Sequence, residues 1–336
     1  MKKKRVIASV VILALLIAAV YSILRWYGRN SLLAQDDNPW SWWVNWWVGE
    51  RTFEHNGVTY VIRDDVINIL CIGIDKEGGM DGPDYSGNSR GQADAIFVVS
   101  LDMTEKKIRV VSIPRDTFVT LEVYDLWGEP QGTMDGQIAL QFAYGDGQLQ
   151  SCDLMAARVY DVLGGVPIHS YVALDLDCII PINDAVGGVE LTMDQDYTML
   201  DPVFVEGATI RLMGEQAVHF VRTRDTEIPG SAYTRSIRQK QYVTALVEQA
   251  KQAVRKDITL PMTLFEELKS DILTDLDAAK ITFLATEVVN YSFSEGDMYV
   301  ITGEIQNNTG WEEFYPDEEA IWQLKIDLFY EEADRQ

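Results

Sequence analysis

The 336-residue sequence predicts an α/β protein, a layered α-β-α sandwich in which helices cover both faces of a central mixed sheet. Three observations support this prediction. Short apolar runs rich in β-branched residues alternate with longer segments that have helical periodicity. Glycine pairs end two of those longer segments, and no internal repeat or long low-complexity tract interrupts the pattern.

The first half of the chain contains three runs that are typical of buried strands. Val66–Ile74 is a short apolar run rich in β-branched residues. Ala95–Leu101 and Ile108–Ile113 follow it, and the polar residues 102–107 between them are predicted to form the turn of a hairpin. These three strands are the expected centre of the sheet.

The rest of the chain continues the alternation of helices and strands. Its tail, residues 257–336, adds helical and strand-like pieces and is strongly acidic. The elements predicted between the hairpin and this tail are a helix over Gln150–Leu163, a strand over Ile168–Leu174, and helices over Leu176–Val186, Gly214–Arg224 and Ser231–Val254.

The N-terminus has the pattern of a membrane anchor. The basic residues Lys2–Arg5 precede the uncharged apolar run Val6–Leu24, which would span about 28 Å as a helix, close to the thickness of the bilayer core. Basic residues before such a run favour a cytoplasmic N-terminus. A cleaved signal peptide is the alternative, but the run is long for one, and Arg25–Tyr27 is typical of an interfacial stop. The prediction is a cell-membrane protein with one transmembrane helix and an extracellular domain.

A polar and aromatic linker, residues 30–64, is predicted to separate the cytoplasmic tip and anchor, residues 1–29, from an extracellular domain over residues 65–336. Five of the nine tryptophans lie within Trp40–Trp47. Because tryptophan is favoured at the membrane–water interface, this segment is either a second contact with membrane lipid or a local aromatic cluster that covers the domain. The sequence alone leaves both interpretations open.

The charge distribution excludes nucleic acid as a partner. The formal net charge is −24, although residues 1–29 hold six basic and no acidic side chains. The remaining residues hold 22 basic and 52 acidic side chains, a net charge of −30. Such a body repels DNA and RNA, whose binding depends on the neutralisation of phosphates. Any anionic ligand would therefore need a local basic patch.

The cysteines and histidines give no sign of a metal centre or a catalytic triad. Cys71, Cys152 and Cys178 are widely spaced, which favours buried small side chains and leaves one disulfide with one free thiol as the alternative. The three histidines are scattered, and no Ser-His-Asp arrangement is visible. Acid–base chemistry by histidine is therefore not expected.

Charged residues stand at the ends of the three predicted strands. With Leu101 opposite Ile108 in the hairpin, paired residue numbers sum to 209, which sets Asp94 opposite Arg115 at one edge of the sheet. Asp75, which follows the first strand, joins them if that strand ends at the same edge. Carboxylates suit Mg²⁺, and a guanidinium can donate two hydrogen bonds to phosphate oxygens. The cluster is a candidate site for a divalent metal and a phosphate, with a surface ion-pair cluster as the alternative.

A second basic cluster lies in residues 211–240, which hold six basic and three acidic side chains. The helix at its end has an apolar stripe through Val243 and Leu246 that, extended backwards, includes Gln239 and Arg235. These polar side chains are therefore predicted to face the interior. A buried arginine needs an anionic partner, either an internal carboxylate or a ligand phosphate.

Short motifs occur in a fixed order over roughly residues 65–250. They are Ile69–Asp75, Ala93–Asp94, Ser112–Asp116, Ile182–Val189, Leu212–Ala217, Val221–Arg224 and Arg235–Gln239. Together these motifs resemble the LytR-CpsA-Psr family, although any one of them alone would be weak evidence. The predicted N-terminal anchor fits the same family.

This resemblance implies a membrane enzyme of cell-wall assembly. Members of the family bind a polyprenyl pyrophosphate in an apolar pocket beneath a basic mouth, usually with Mg²⁺ (or Mn²⁺). They transfer its phosphate-linked glycopolymer to a hydroxyl group of peptidoglycan. By resemblance, Asp75 and Asp94 would hold the metal, and both would act with Arg115, Arg222 and Arg224 in catalysis. The residues that would bind the pyrophosphate are Arg115, Arg222, Arg224, Arg235 and Gln239.

Two positions depart from the family pattern. Gln92 stands where the family commonly has arginine, and Ala232 stands where it often has aspartate. Arg90, two residues before Gln92, is a candidate replacement for the missing guanidinium in pyrophosphate binding. These departures keep two alternatives open, a non-catalytic module that binds polyprenyl phosphate and a regulatory attenuator in the membrane.

Overall fold

A six-stranded mixed sheet lies at the centre of the computed structural model. The structure describes residues 20–33, 52–76, 80, 90–125, 127–223, 231–308 and 310–333. The strands of the sheet, in spatial order, are β11 (Ile272–Thr274), β8 (Ser170–Asp175), β3 (Val66–Ile74), β4 (Ala93–Asp102), β5 (Lys107–Ser112) and β12 (Met298–Val300). The three predicted strands are the adjacent β3, β4 and β5. β4 runs antiparallel to both neighbours, whereas β8 runs parallel to β3.

Alternate residues of each strand are buried on opposite faces of this sheet. On β3, Leu70 and Ile72 pack on one face, and Ile67 and Ile69 pack on the other. Full burial of each such side chain contributes about 2 kcal/mol. Helices cover both faces, so the predicted α-β-α layers around a mixed sheet are confirmed. The helices are α3 (Leu149–Val162) and α9 (Glu318–Leu328) on the first face, and α1 (residues 20–33) and α8 (Ala278–Val288) on the second.

The other predicted helices lie within two residues of their expected bounds, except that the first turn of one, Leu176–Cys178, is a 3₁₀ helix. Two predicted glycine pairs follow helices at positive φ, with values of 61° and 91° at Gly164 and Gly165. Such backbone conformations favour glycine and stop a helix. The remaining helices are α2 (Gln141–Tyr144), α4 (Ile179–Ala185), α5 (Glu215–Arg222), α6 (Ser231–Lys256) and α7 (Leu260–Glu267).

A smaller apolar core lies beside the central sheet. The antiparallel hairpin β9 (Val189–Thr192) and β10 (Thr209–Leu212) packs with α5 and α6 around the buried rings of Phe204, Phe220 and Tyr242. The ring of Phe204 meets that of Phe220 edge-on at 5.6 Å, a favourable aromatic geometry. This core holds α5 in a fixed position.

Three further sheets complete those of the described residues, and one of them corrects the predicted linker. Residues 52–62 were assigned to the linker, but they form the hairpin β1 and β2, which pairs with β15 near the C-terminus. The apolar side chains of Phe53 and Tyr60 pack against the main core, which explains why this segment joins the domain. The strands are β1 (Thr52–His55), β2 (Val58–Ile62) and β15 (Tyr330–Glu332), with the separate hairpins β6 (Phe118–Tyr124) and β7 (Pro130–Gln137), and β13 (Gly303–Gln306) and β14 (Glu313–Pro316).

The N-terminal helix α1 is packed onto the domain. Leu32 is fully buried among residues of β3 and α8, and Gly28 lies so close to the backbone of Ala279 that no Cβ would fit. Most of the predicted anchor over residues 6–24, and all of Trp40–Trp47, lie outside the described residues. Within the described ranges, none of the helices has both the length and the apolar content needed to span a bilayer.

Candidate active site

The carboxyl ends of β3 and β5 and the amino end of β4 meet at one edge of the central sheet. The register pairs Phe97 with Ser112 and Leu101 with Ile108, so paired residue numbers sum to 209, as predicted. Continued past Phe97, this register brings Asp94 opposite Arg115. We call the group of side chains there the charged edge. It consists of Asp75, Asp94, Arg115, Asp116 and Arg222.

Arg115 is the central cation of the charged edge. Its Nη1 donates a hydrogen bond to Asp94 Oδ1 across 2.6 Å, and its Nε lies 3.6 Å from Asp116 Oδ1. Burial lowers the pKa of this guanidinium, but the carboxylates of Asp94, Asp116 and Asp75 outweigh burial and raise the pKa above its ordinary value. Arg115 is therefore a permanent positive charge, and it remains 38% exposed to an incoming ligand.

Asp75 adds a second acid–arginine pair to the charged edge. Its backbone N–H donates to the carbonyl of Gln92 across 2.9 Å, which continues the pairing of β3 with β4. Arg222 Nη2 lies 3.6 Å from Asp75 Oδ1, and both side chains are about half exposed. This pair joins the edge of the sheet to the end of α5. Both ion pairs of the site face solvent, so an anion or a cation can compete for their members.

Two residues of α6 fix the end of α5 that carries Arg222. The last carbonyls of a helix have no partner within it. Here Arg238, which is only 4% exposed, donates from Nε to the Phe220 carbonyl across 2.8 Å and from Nη2 to the Thr223 carbonyl. Gln239 Nε2 donates to the Val221 carbonyl across 3.1 Å. These bonds satisfy the end of the helix and hold the backbone around Arg222.

Partly exposed apolar residues lie beneath the charged edge, on the face of the sheet that α1 and α8 cover, and we call this group the apolar hollow. On the opposite face, Leu70, Ile72 and Val98 are fully buried, but the residues beside them on this face keep partial exposure. These residues are neighbours on three adjacent strands, because Cys71 pairs with both Phe97 and Val172. The residues that line the hollow are Cys71, Gly73, Ala95, Phe97, Val99, Val172 and Leu174.

The hollow is low in polarity, and the same face of the sheet is fully packed beyond it. Further from the charged edge, Ile67, Leu101 and Ile108 of the same face are fully packed. Burial raises the pKa of the Cys71 thiol to about 12, as expected where a thiolate would lose its solvation. All three cysteines are free thiols, and Cys152 and Cys178 are buried, as the spacing favoured.

Comparisons with known proteins agree with this geometry. A family model described as the LytR_cpsA_psr family matches residues 49–328, which is most of the chain. The chain belongs to the LytR-CpsA-Psr family. A relative from Oceanobacillus iheyensis, named polyisoprenyl-teichoic acid–peptidoglycan teichoic acid transferase TagU, is 30% identical over 245 residues, which cover 73% of this chain and 68% of that protein. The protein of the same name from Bacillus mycoides is 29% identical over 201 residues, and this match covers 59% of the chain and 58% of that protein.

Solved structures share the LytR-CpsA-Psr fold. The structure of TagT bound to LI-WTA has a TM-score of 0.57 and 20% identity, covering 79% of this chain and 89% of that one. Bacillus subtilis TagV has a TM-score of 0.56 and 22% identity, covering 79% of this chain and 96% of that one. At this level of identity the likeness shows the fold alone.

The structure brings together four of the residues that the LytR-CpsA-Psr resemblance implied and places others elsewhere. Asp75, Asp94, Arg115 and Arg222 form the charged edge. The amide of Gln239 is bonded to the backbone of α5, and the guanidinium of Arg90 contacts the carbonyls of Ala143 and Gly145. Arg224 and the side chain of Arg235 lie outside the described residues.

Sequence reasoning missed two members of this arrangement. Asp116 directly follows Arg115 in a motif that had already been singled out, so its position was a sufficient signal. Arg238 lies one residue before Gln239, about 100° around the helix and off the apolar stripe, so the periodicity of α6 did not point to it. Only the packing of α5 against α6 shows why it is buried.

The donor set of the charged edge suits a hard cation. Asp75 and Asp94 offer carboxylate oxygens, the ligands that Mg²⁺ and Mn²⁺ prefer. Among the residues that the structure describes, no group of three or more acidic, histidine or cysteine side chains could hold a metal ion. Two carboxylates fill only part of an octahedral shell, so these residues fit a cation whose other ligands come from water and from a bound phosphate.

Proposed function

We propose that this protein transfers a phosphate-linked glycopolymer from a polyprenyl pyrophosphate carrier to peptidoglycan, at the outer face of the cell membrane. The continuity of the charged edge with the apolar hollow carries this proposal. Gly73 and Ala95, at the mouth of the hollow, lie within two residues of Asp75 and Asp94. A ligand with an anionic head and a long hydrocarbon tail requires this combination. The names of the TagU relatives support the same reaction.

Binding follows from the charges at the mouth of the hollow. The guanidiniums of Arg115 and Arg222 would each exchange a carboxylate partner for a pyrophosphate oxygen. The hydrocarbon chain would fill the hollow along Cys71, Phe97 and Val172. Because the rest of the body carries a net charge of −30, these two arginines are what makes the mouth attractive to an anion.

The reaction exchanges one phosphorus–oxygen bond for another. A hydroxyl oxygen of peptidoglycan attacks the phosphorus that carries the glycopolymer, and the bond from that phosphorus to the bridging oxygen breaks. The carrier leaves as polyprenyl phosphate. A carboxylate of the charged edge, Asp75 or Asp94, takes the proton of the attacking hydroxyl. Arg115 and Arg222 stabilise the negative charge that spreads over the transferring and departing phosphates, which is the main task of a protein in phosphoryl transfer.

A divalent cation, Mg²⁺ or Mn²⁺, is part of this proposal. Asp75 and Asp94 would hold it, and when bound it would supply additional neutralisation of the phosphate charge. The carboxylates and arginines of the charged edge would then alternate around the substrate. This alternation would position the phosphorus without any covalent intermediate on the protein.

The location is proposed from the N-terminal sequence. Residues 6–24 would cross the membrane with the N-terminus in the cytoplasm, and the Trp-rich segment Trp40–Trp47 would contact lipid, so the domain would lie outside the cell. Polyprenyl carriers reside in the same membrane. An anchored enzyme therefore meets its carrier by diffusion in two dimensions.

Reconstitution of the full-length chain tests the proposal. Purified protein in lipid vesicles is incubated with a lipid-linked glycopolymer and peptidoglycan oligomers, and the covalent product is measured by mass spectrometry with and without Mg²⁺. Transfer that requires Mg²⁺ is the expected result. The departures at Gln92 and Ala232 keep a non-catalytic binding module as the alternative. That alternative predicts that the protein retains polyprenyl phosphate but transfers no glycopolymer. Such a result would identify a binding module and overturn the proposed enzyme.

A further inference from the structure

Two cavities flank helix α1, and the proposed function uses neither of them. The first is an apolar groove of about 840 Å³ between α1, α7 and α8. The second is a basic pocket of about 590 Å³ between α1, α8 and the turn that joins β4 to β5. Tyr21 lines both cavities, so α1 separates them. We name them the apolar groove and the basic pocket.

Apolar side chains make up most of the surface of the apolar groove, although Glu266, Glu267 and several threonines also line it. Val20 and Leu24 of α1 face Ile258 and Met262 across it. Ile258, between α6 and α7, is 48% exposed, an unfavourable position for an aliphatic side chain in water. The groove therefore has the chemistry of a site for hydrocarbon.

The basic pocket carries cations and aromatic rings on its opposite side. Arg25, Arg29 and Lys106 line it against the carboxylates of Asp65 and Glu287, together with the indole of Trp26, which is 65% exposed. Arg25 and Lys106 share one carboxylate, that of Glu287. Burial raises the pKa of Glu287, but the hydrogen bonds from Lys106 and Arg25 outweigh it and hold the pKa below its ordinary value. Because one carboxylate neutralises two cations, the pocket keeps positive charge that a second anion could neutralise.

The sequence before α1 identifies the occupant of these cavities. The uncharged run of residues 6–24, the proposed anchor, ends inside α1, and its last residues, Val20, Tyr21 and Leu24, line the apolar groove. The groove must therefore lie where that run leaves the bilayer. α1 is locked to the domain by the close approach of Gly28 to Ala279 and by the ion pair of Arg25 with Glu287. The helix that leaves the membrane thus also fixes the orientation of the domain.

We infer that the surface around α1 docks on the outer leaflet of the bilayer, with an anionic phospholipid headgroup in the basic pocket and acyl chains against the apolar groove. This inference rests on the membrane anchor of the proposed function. The basic pocket offsets the repulsion between the leaflet and a body with a net charge of −30. The exposed rings of Trp26 and Tyr27 suit the interface between hydrocarbon and water.

The basic pocket and the charged edge lie at opposite ends of the same strands. Lys106, in the basic pocket, lies at the end of β4 and β5 that is opposite Asp94 and Arg115. The ten residues of β4 span about 33 Å. The surface that is proposed to dock on lipid is therefore separate from the charged edge.

Depth-dependent fluorescence quenching tests the inference on the full-length chain. A fluorophore is attached to Met262→Cys, in the apolar groove, or to Met199→Cys, a 65% exposed position beside the second core, with Cys71 replaced by alanine. The chain is placed in nanodiscs of phosphatidylcholine with or without phosphatidylglycerol, which contain phospholipids that carry a nitroxide near the headgroup. Quenching severalfold stronger at position 262 than at position 199 is expected.

Charge variants test the basic pocket. Phosphatidylglycerol should increase quenching at position 262, and Arg29→Glu should remove this increase, whereas Arg211→Glu, at an exposed arginine of β10, should leave it unchanged. Equally weak quenching at both positions, in a chain that enters the nanodiscs, overturns the inference. Strong quenching at position 262 that occurs only in discs holding two chains also overturns it, because a second copy would then be the partner of the groove. A chain that does not enter nanodiscs overturns both the anchor and the docking. Docking of the labelled chains, with no glycopolymer transfer by the chain that retains Cys71, overturns the proposed activity alone.

Discussion

Arg115 and Asp94 face each other across the ends of β5 and β4, with 2.6 Å between Nη1 and Oδ1. Each side chain is more than one-third exposed, so the ion pair contributes at most about 1 kcal/mol to stability. A pair this weak can open when a ligand arrives. Asp94 is then free to hold a cation or accept a proton, and Arg115 is free to bind a phosphate. Under the proposed function, the two residues keep each other in place until the substrate separates them.

Replacement of Arg115 should separate function from folding. Because the ion pair is exposed, we expect Arg115→Ala to change the free energy of unfolding by about 1 kcal/mol or less. Loss of one well-placed charge from a phosphoryl-transfer site should lower the transfer rate by about a hundredfold or more. Urea denaturation and the vesicle transfer assay measure the two quantities. Near-normal transfer by this variant would remove Arg115 from the site.

Arg222 offers a matched comparison with Arg211. Both arginines are about half exposed and each faces one carboxylate, but Arg222 lies at the charged edge and Arg211 pairs with Glu190 on the β9–β10 hairpin. We expect Arg222→Ala to lose about a hundredfold in transfer, whereas Arg211→Ala keeps most of it. Circular dichroism checks that both variants fold. Equal loss in both would indicate a general effect of surface charge.

The cation should bind together with the substrate. Asp75 and Asp94 alone leave most of an octahedral shell to water, so Mn²⁺ should bind the free protein weakly and severalfold more tightly with geranyl pyrophosphate present. We expect Asp75→Asn to lose this enhancement, and Glu190→Gln, at the remote ion pair, to keep it. Electron paramagnetic resonance of free Mn²⁺ measures both affinities. An enhancement that persists in Asp75→Asn contradicts the role of this carboxylate.

The sequence predicted the charged edge because a hairpin register is an arithmetic constraint. Alternation of apolar residues in β4 and β5 allows few registers, since a shift of one residue would turn buried side chains to the other face. Once Leu101 was paired with Ile108, the positions of Asp94 and Arg115 followed. Arg222 belongs to a different element, and only the family resemblance connected it with Asp75.

Tertiary packing determined what the sequence could not predict. The hairpin β1–β2 lies in a segment that looked like a linker, because its partner β15 is some 270 residues away in the chain. The apolar hollow has the same apolar residue types as a packed core, and only the burial of each strand position distinguishes them. Gln239 donates from its amide to the Val221 carbonyl at the end of α5, a contact that the periodicity of α6 did not predict.

Space in the hollow can be tested by filling it. Cys71→Phe adds a ring at a partly exposed position, so we expect a cost of about 1 kcal/mol or less, with loss of bound polyprenyl lipid. Cys152→Phe places the same ring in a fully packed part of the main core and should cost about 3 kcal/mol. Mass spectrometry of lipids that copurify with each variant, together with urea denaturation, measures both effects. Normal lipid retention by Cys71→Phe would place the hydrocarbon tail elsewhere.

His169 should make the stability of the domain depend on pH. Its Nδ1 accepts a hydrogen bond from the backbone N–H of Asn68 across 2.9 Å, and the backbone N–H of His169 donates to the Asn68 carbonyl. Burial lowers the pKa of the imidazole to about 4, and a proton on Nδ1 would break the bond from Asn68. Below the ordinary pKa of histidine, His169 is therefore protonated in the unfolded chain but stays neutral in the folded protein until the pH approaches 4.

The sign of the effect follows from this difference. The stabilising contribution of neutral His169 is complete above about pH 6.5 and decreases as the pH falls towards 4, by a total of about 3 kcal/mol. Burial raises the pKa of Asp153 to about 6, which acts in the opposite direction over part of the same range. Only a comparison of variants isolates the histidine.

His169→Asn retains an acceptor for the Asn68 N–H but has no group that titrates in this range. We expect its free energy of unfolding to decrease less than that of the unmodified protein between pH 6.5 and 4, whereas His219→Asn, at an exposed histidine, should follow the unmodified protein. Urea denaturation at several pH values measures the three slopes. If the free energy of unfolding of His169→Asn falls with pH as steeply as that of the unmodified protein, the acid sensitivity does not come from His169. Protonation of Nδ1 and loss of its bond from Asn68 would then not be the cause.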